Sequence, residues 1–280
     1  MDEVPCGPSR LSVLRHELRA TAVLIRASWR AAMAYRVSFW SALTGGVGFQ
    51  GTQLLFLGVL LASFNNVGGW PLNDIVFVFS LRLAAHAGYV TLFGSLYSID
   101  RAIQQGDVDR YLLRPTSVFT QVITRYAPIM ALGDAVLGFG SLIAFAPGSS
   151  VTWTGAQVTY LCACLIGGAL VEAGIQTFLA GLSFRLTTTE SLRSLVDDTF
   201  TRFGGYPLTI FSREGLITLT FVVPMAFIAY LPATYLLERT GELPFPSWLA
   251  VASPCAGPIV FAIGLTFFNR MAKGYNSPGS

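Results

Sequence analysis

Arg82, His86, Asp134 and Glu172 stand inside long apolar stretches of the chain. A charge at the centre of a bilayer costs roughly 3 kcal/mol on insertion scales, so each of the four must face protein or water. Three kinds of chemistry fit them. Arg82 can pair with Asp134 or Glu172 as a structural ion pair, the group can contact a polar part of a transported molecule, or it can relay protons. Arg82 and His86 are four residues apart and share a helix face, with Tyr89 nearby on it. Hydrolytic chemistry finds no support. The two histidines, His16 and His86, belong to separate elements, and the carboxylates are scattered rather than converging as acid, base and nucleophile. The phosphate-binding pattern G-x-x-x-x-G-K-[ST] is absent, and the one lysine, Lys273, lies in the tail. Cys6, Cys162, Cys164 and Cys255 lack metal-ligand spacing. No catalytic residue, metal ligand or cofactor of its own is expected of this chain, which is therefore not expected to be an enzyme.

The elements that hold these charges are hydrophobic helices. Hydrophobic residues make up 53% of the sequence and charged residues 12%, about half the charge of a soluble domain. Six apolar runs, at about 37–63, 73–97, 117–145, 157–184, 216–237 and 248–268, each exceed the roughly 20 residues that carry a helix across about 30 Å of hydrocarbon. They are too long and too little alternating for strands. The expected fold is an all-α integral membrane protein of six transmembrane helices. An arm (1–36) precedes the six-helix domain (37–270), and a tail (271–280) follows it. Pro224 and Pro232 are expected to kink the fifth run. Of the 18 Lys and Arg residues, all but Arg82 and Arg239 fall in four hydrophilic segments that alternate with three short, nearly uncharged loops. Cationic loops stay cytoplasmic, so both termini are expected inside the cell membrane. The net charge of +3 follows from that bias and is no sign of nucleic acid. Trp70, Trp153 and Trp248 mark the outer boundaries, at headgroup level.

Three cytoplasmic pieces carry further information. In the arm, Leu11, Leu14, Leu18, Ala22, Ile25 and Trp29 recur at helical spacing, flanked by Arg15, Arg19, Arg26 and Arg30. That pattern suits a helix lying in the inner membrane interface with its guanidinium groups at lipid phosphates. The loop 98–115 reads as two short helices joined at Gly106, the second capped by Asp107 and ended by Pro115. Ile99, Ile103, Val108 and Leu112 are apolar in a very polar loop, which suggests docking to a partner or packing on the chain's own helix ends. Residues 187–205 form an amphipathic helix. Thr187 and Glu190 fit a capping box, Arg193 and Asp197 pair along it, and Leu192, Leu195, Val196, Phe200 and Phe203 make its apolar face. It is expected to lie along the inner surface.

The run GDVDRYLLRP (residues 106–115) before a long apolar stretch, then YPLTIF (206–211) and PMAFIAYLPA (224–233), resembles the six-span permease subunits of bacterial type-2 (ABC-2-type) ABC exporters. The branch in question is often encoded as paired permeases beside a separate ATPase. The resemblance covers about residues 35–269. It implies that 11–30 is an amphipathic elbow helix and that 101–114 is a coupling helix seated on the ATPase. The ATPase-coupling residues would be Arg101, Gln105, Gly106, Asp107, Asp109, Arg110 and Arg114. It further implies a location in the bacterial inner membrane and a second permease subunit, the same chain or a homologous one. ATP and Mg would be bound by the partner ATPase dimer. An ion-gradient-driven secondary transporter using Arg82, His86, Asp134 and Glu172 is the alternative, although no internal repeat is discernible.

Overall fold

The computed structural model describes residues 10–63, 69–186 and 188–275, with the side chains of 10–18, 60–63 and 72 left aside. Cys6, the expected cap Thr187, the Arg15 side chain and residues 276–280 lie outside what is described. The described residues fold into helices: α1 (Arg10–Ala34), α2 (Arg36–Ser63), α3 (Leu72–Phe93), α4 (Ile99–Gln104), α5 (Asp107–Leu112), α6 (Val118–Ile123), α7 (Met130–Phe145), α8 (Gly155–Leu182), α9 (Glu190–Phe203), α10 (Arg213–Ile217), α11 (Tyr230–Leu236), α12 (Trp248–Val251) and α13 (Ser253–Lys273). Four helical stretches among them are long and apolar enough to cross a membrane: Asn73–Gln104, Met130–Gly148, Gly155–Leu182 and Ser253–Lys273.

Helix α3 is the axis of the bundle. Ile75, Phe77, Leu81, Leu83, Ala87 and Tyr89 point to different sides of it and are all buried, as an all-round apolar helix requires. Helices α7 and α8 pack on it, α2 covers α7, and α13 lies along α8. The α8–α13 seam is the tightest. Gly167, Gly174 and Gly181, seven residues apart, face Pro254, Phe261 and Phe267 in turn, so the two helices run parallel. A Cβ on Gly174 would stand 2.6 Å from the Phe261 nitrogen; small residues are what let helix backbones meet this closely.

Two of the expected spans take other forms. The run 117–145 is split between α6 and α7 by an irregular turn through Pro128, where the missing N–H and the restriction on the preceding residue end the helix. The run 216–237 is not a helix across the bundle. It divides into α10, a π-helical stretch (Thr218–Val222), a break at Val223–Pro224, a short 3-10 turn and α11.

Helix α9, expected flat on the surface, stands upright against α3 instead. Its Arg193 bonds the carbonyls of Leu96 and Tyr97, Thr201 bonds Arg82, and Gly205 abuts Phe79. Helix α9 thus runs antiparallel to α3 and its extension, from Tyr97 back to Phe79. The chain then turns back. Phe211 meets Phe203, and Val222, Val223 and Pro224 line one apolar hollow together with Val196, Gly174 and Gly264. It returns through Ile228 beside Gly168, Tyr230 beside Trp70 and Tyr235 beside Tyr160. Residues 213–236 therefore enter the bundle and leave it on the same side. The burial of α9 explains its stance. Arg193, Phe200 and Gly204 are buried, whereas Leu195 is 62% exposed and Leu192 40%. The buried face is held by α3 and its extension, through Arg193 and Thr201, while the exposed face mixes these leucines with Ser194, Asp198 and Arg202.

The bundle has two poles. At one, Trp70 is completely buried within the protein. Its indole donates to Glu242, and Arg239 lies over its ring while bonding Glu242 and facing Asp74. At the other pole sits the α4–α5 hairpin.

Candidate functional site

The hairpin is built around Gly106, whose φ of 71° places it in the left-handed region that favours glycine. Its N–H bonds the Ile103 carbonyl and Gln105 N–H bonds Arg101, so α4 ends there as expected. Asp107 is the first residue of α5 and makes no side-chain cap. Its carboxylate instead accepts from Arg125 at 2.7 Å and from Arg110. It is buried, and Arg125 also reaches Gln105. The reason is geometric. Once Gly106 turns the chain, Asp107 faces the end of α6, where Arg125 supplies a charge that beats any backbone N–H.

The apolar residues of this loop divide. Ile99 and Val108 are fully buried with Leu96, Phe119, Val122, Phe184 and Phe268, and Ile103 packs at the edge of that cluster. They hold the hairpin to its own bundle and are not available to a partner. The exposed apolar residues are Leu112 and, at 87%, Leu113. Arg101, Gln105, Arg110 and Arg114 are also exposed, Asp109 partly. The bare surface thus mixes guanidinium groups with two leucines.

Asp100, which was not singled out from the sequence, and Arg193, expected to pair with Asp197, fasten the hairpin to α9. Arg193 is 1% exposed. It donates to Asp100 at 3.1 Å and lies 5.6 Å from the Tyr97 ring. Asp100 also accepts from the N–H and the hydroxyl of Thr189. The expected Arg193–Asp197 pair along α9 does not form, because both side chains turn toward α3 and its extension. Nothing in local spacing signals a partner 93 residues away.

Helix α1 rests at the same pole. Ile25, Ser28 and Trp29 lie against Thr91, Ile123 and Thr124, and the Ser28 hydroxyl donates to the Thr124 carbonyl at 2.6 Å. Arg19, Arg26 and Arg30 are exposed and Trp29 is half-buried.

The four buried ionisable residues come together in mid-bundle. His86 Nδ1 lies 2.6 Å from Glu172 Oε1, and its Nε2 lies 4.0 Å from Asp134 Oδ2. Arg82 stands 4.0 Å from Glu172 and donates to Thr201 at 3.2 Å. Gln50 of α2 donates to Asp134 at 2.9 Å. Gln50 and Thr201 were not named from the sequence, and Asp197, expected to pair with Arg193, instead brings its carboxylate to His86 and Glu172. Five helices, α2, α3, α7, α8 and α9, thus supply one polar cluster. Its members sit far apart in sequence, and only the upright stance of α9 adds Asp197.

A family model described as ABC-2 family transporter protein matches residues 47–279. The chain belongs to the ABC-2 transporter family. The match runs from within α2 through α13 and includes the hairpin, the polar cluster and the returning segment 213–236. Searches of curated proteins and of solved structures found no match. Membership agrees with the apolar helices: this is a multi-pass membrane protein, an ABC-2-type permease and so a transport component rather than a catalyst.

Proposed function

We propose that this ABC-2 permease is the membrane subunit of an ATP-driven exporter, moved by a separate ATPase dimer that seats the α4–α5 hairpin. The observation that carries this reading is the two-sided construction of the hairpin. Its outer side offers Arg101, Gln105, Arg110, Leu112, Leu113 and Arg114, while its inner side is tied to α9 through Asp100–Arg193 and to the end of α6 through Asp107–Arg125. A push on the hairpin therefore acts on α9 and on the end of α6 at once. ATP and Mg belong to the partner subunit.

In this reading the six crossings are α2, α3, α6–α7, α8, α9 and α13, with residues 213–236 dipping in from the outer side. The arginines of α1 and of the hairpin loop support a cytoplasmic side for that pole and for both termini, in a bacterial inner membrane. Helix α1 is the interfacial elbow, with Arg19, Arg26 and Arg30 at lipid phosphates and Trp29 turned toward the bundle. Arg202 and Arg213 then lie toward the outer pole, on the far side of the crossing made by α9. The exposed face of α9 carries Ser191, Ser194, Asp198 and Arg202, which lipid would not tolerate. A second permease subunit, the same chain or a homologue, covers it, and the pathway runs between the two.

The test is co-purification of a nucleotide-binding subunit with the wild-type chain and its loss in a Leu113→Asp, Arg114→Glu double variant that remains folded. Retention of the ATPase by that variant would remove the hairpin from the docking role. A cysteine at Ser194 should cross-link two permease subunits, and a chain that stays uncross-linked in assembled complexes argues against the α9 interface.

A further inference from the structure

The mid-bundle cluster carries more acid than base. Arg82 is its one permanent cation, set against Asp134, Glu172 and Asp197, and His86 is the only other basic group among these side chains. With His86 neutral, two negative charges are left over in a site where Glu172 is 0% exposed and Arg82 2%. Leaving buried charge uncompensated is strongly unfavourable. Arg82 has not claimed Glu172 by a hydrogen bond, since its Nη2 goes to Thr201.

Donor atoms are free as well. Glu172 Oε2 and Asp197 Oδ1 are buried and take no hydrogen bond. One ligand atom each from His86, Glu172 and Asp197 lies within 4.8 Å of the others. Three donors at about 2.1 Å from one tetrahedral ion stand about 3.4 Å apart, so a contraction of at most about 1.4 Å closes the set. One imidazole nitrogen with carboxylate oxygens is a donor set for zinc-like dications rather than for magnesium, which prefers oxygen alone and keeps its water.

We propose that His86, Glu172 and Asp197 bind one divalent transition-metal cation, which balances the two excess charges and clamps α9 to α3 and α8. The site stands apart from the hairpin and does not depend on the ATPase docking there.

The full-length chain, purified in detergent and stripped with EDTA, is titrated with Co²⁺ and followed by its visible ligand-field absorption, then with Zn²⁺. Expected are saturable bands that Zn²⁺ abolishes and a rise in Tm on adding Zn²⁺. His86→Gln and Asp197→Asn should each weaken Co²⁺ binding by at least about tenfold. His16→Gln and Asp198→Asn should bind as wild type. Should His86→Gln fail to fold, Asp197→Asn, at the half-buried edge of the cluster, carries the same test. Folded wild-type chain without Co²⁺ bands overturns the proposal and leaves bound protons to balance the charge. So does an Asp197→Asn affinity indistinguishable from wild type.

Discussion

The hairpin pole and the middle of the bundle both hold buried arginines and carboxylates, yet they are wired differently. At the pole each acid has its own guanidinium. Asp100 is held by Arg193 at 3.1 Å and two further hydrogen bonds from Thr189, and Asp107 by Arg125 at 2.7 Å. In mid-bundle three acids share one arginine and one histidine, and the shortest contact, 2.6 Å, runs between His86 and Glu172. A saturated pair with directed hydrogen bonds makes a rigid joint. An over-supplied set of acids leaves room for another positive charge. The same residue types thus build a mechanical coupling in one place and a binding opportunity in the other.

Breaking the joint should have the largest effect. Arg193→Ala strands Asp100 in the protein and is expected to cost about 3–5 kcal/mol, seen as a lost monodisperse peak or a steep drop in Tm. Asp100→Asn together with Arg193→Met should recover much of it, because removing both charges avoids the stranded one. Arg82→Leu comes next. It deletes the only permanent cation among three acids, so folding yield should fall more than the ATPase rate of whatever complex assembles. Normal yield with altered transport would instead make Arg82 a substrate contact. Gly106→Ala should cost about 1–2 kcal/mol for a left-handed residue with a Cβ, without a clash, since the nearest atom to that Cβ is Asp109 Oδ2 at 3.6 Å. Thermal unfolding measures that cost, and the ratio of ATP hydrolysed to substrate moved reads any loss of coupling. Asp197→Asn, which removes one surplus charge, should change metal-free stability by less than about 1 kcal/mol. A cost matching that of Asp100→Asn would erase the distinction between the two regions. Leu113→Asp is the smallest in stability terms, within about 0.5 kcal/mol for an exposed site, and should be visible only as weaker recovery of the ATPase.

Several features were legible before any coordinates. Long apolar runs made helices α3, α7, α8 and α13, because a membrane demands internally satisfied backbone whatever the neighbours are. Gly106 ended α4 because a left-handed turn between two short helices favours glycine. The buried ionisable residues were recognisable as a problem to be solved inside the protein, since their cost in lipid does not depend on the fold. What went unread has a common cause. The period of α9 announced an amphipathic helix, but period does not say which face is buried. Here Arg193, Phe200 and Gly204 turn inward, while Leu195 stands outward beside Ser194, Asp198 and Arg202. The apolar run 216–237, expected as a crossing, is broken at Val223–Pro224 and enters and returns instead.

Sequence alone therefore determined the solvent, the helical class, the family and the turn at Gly106, all of which follow from local composition and backbone sterics. Tertiary structure decided which helix stands beside α3, which acid meets which base, and that His86, Glu172 and Asp197 converge. Those outcomes depend on packing between residues up to 111 positions apart, and no spacing along the chain encodes a contact of that kind.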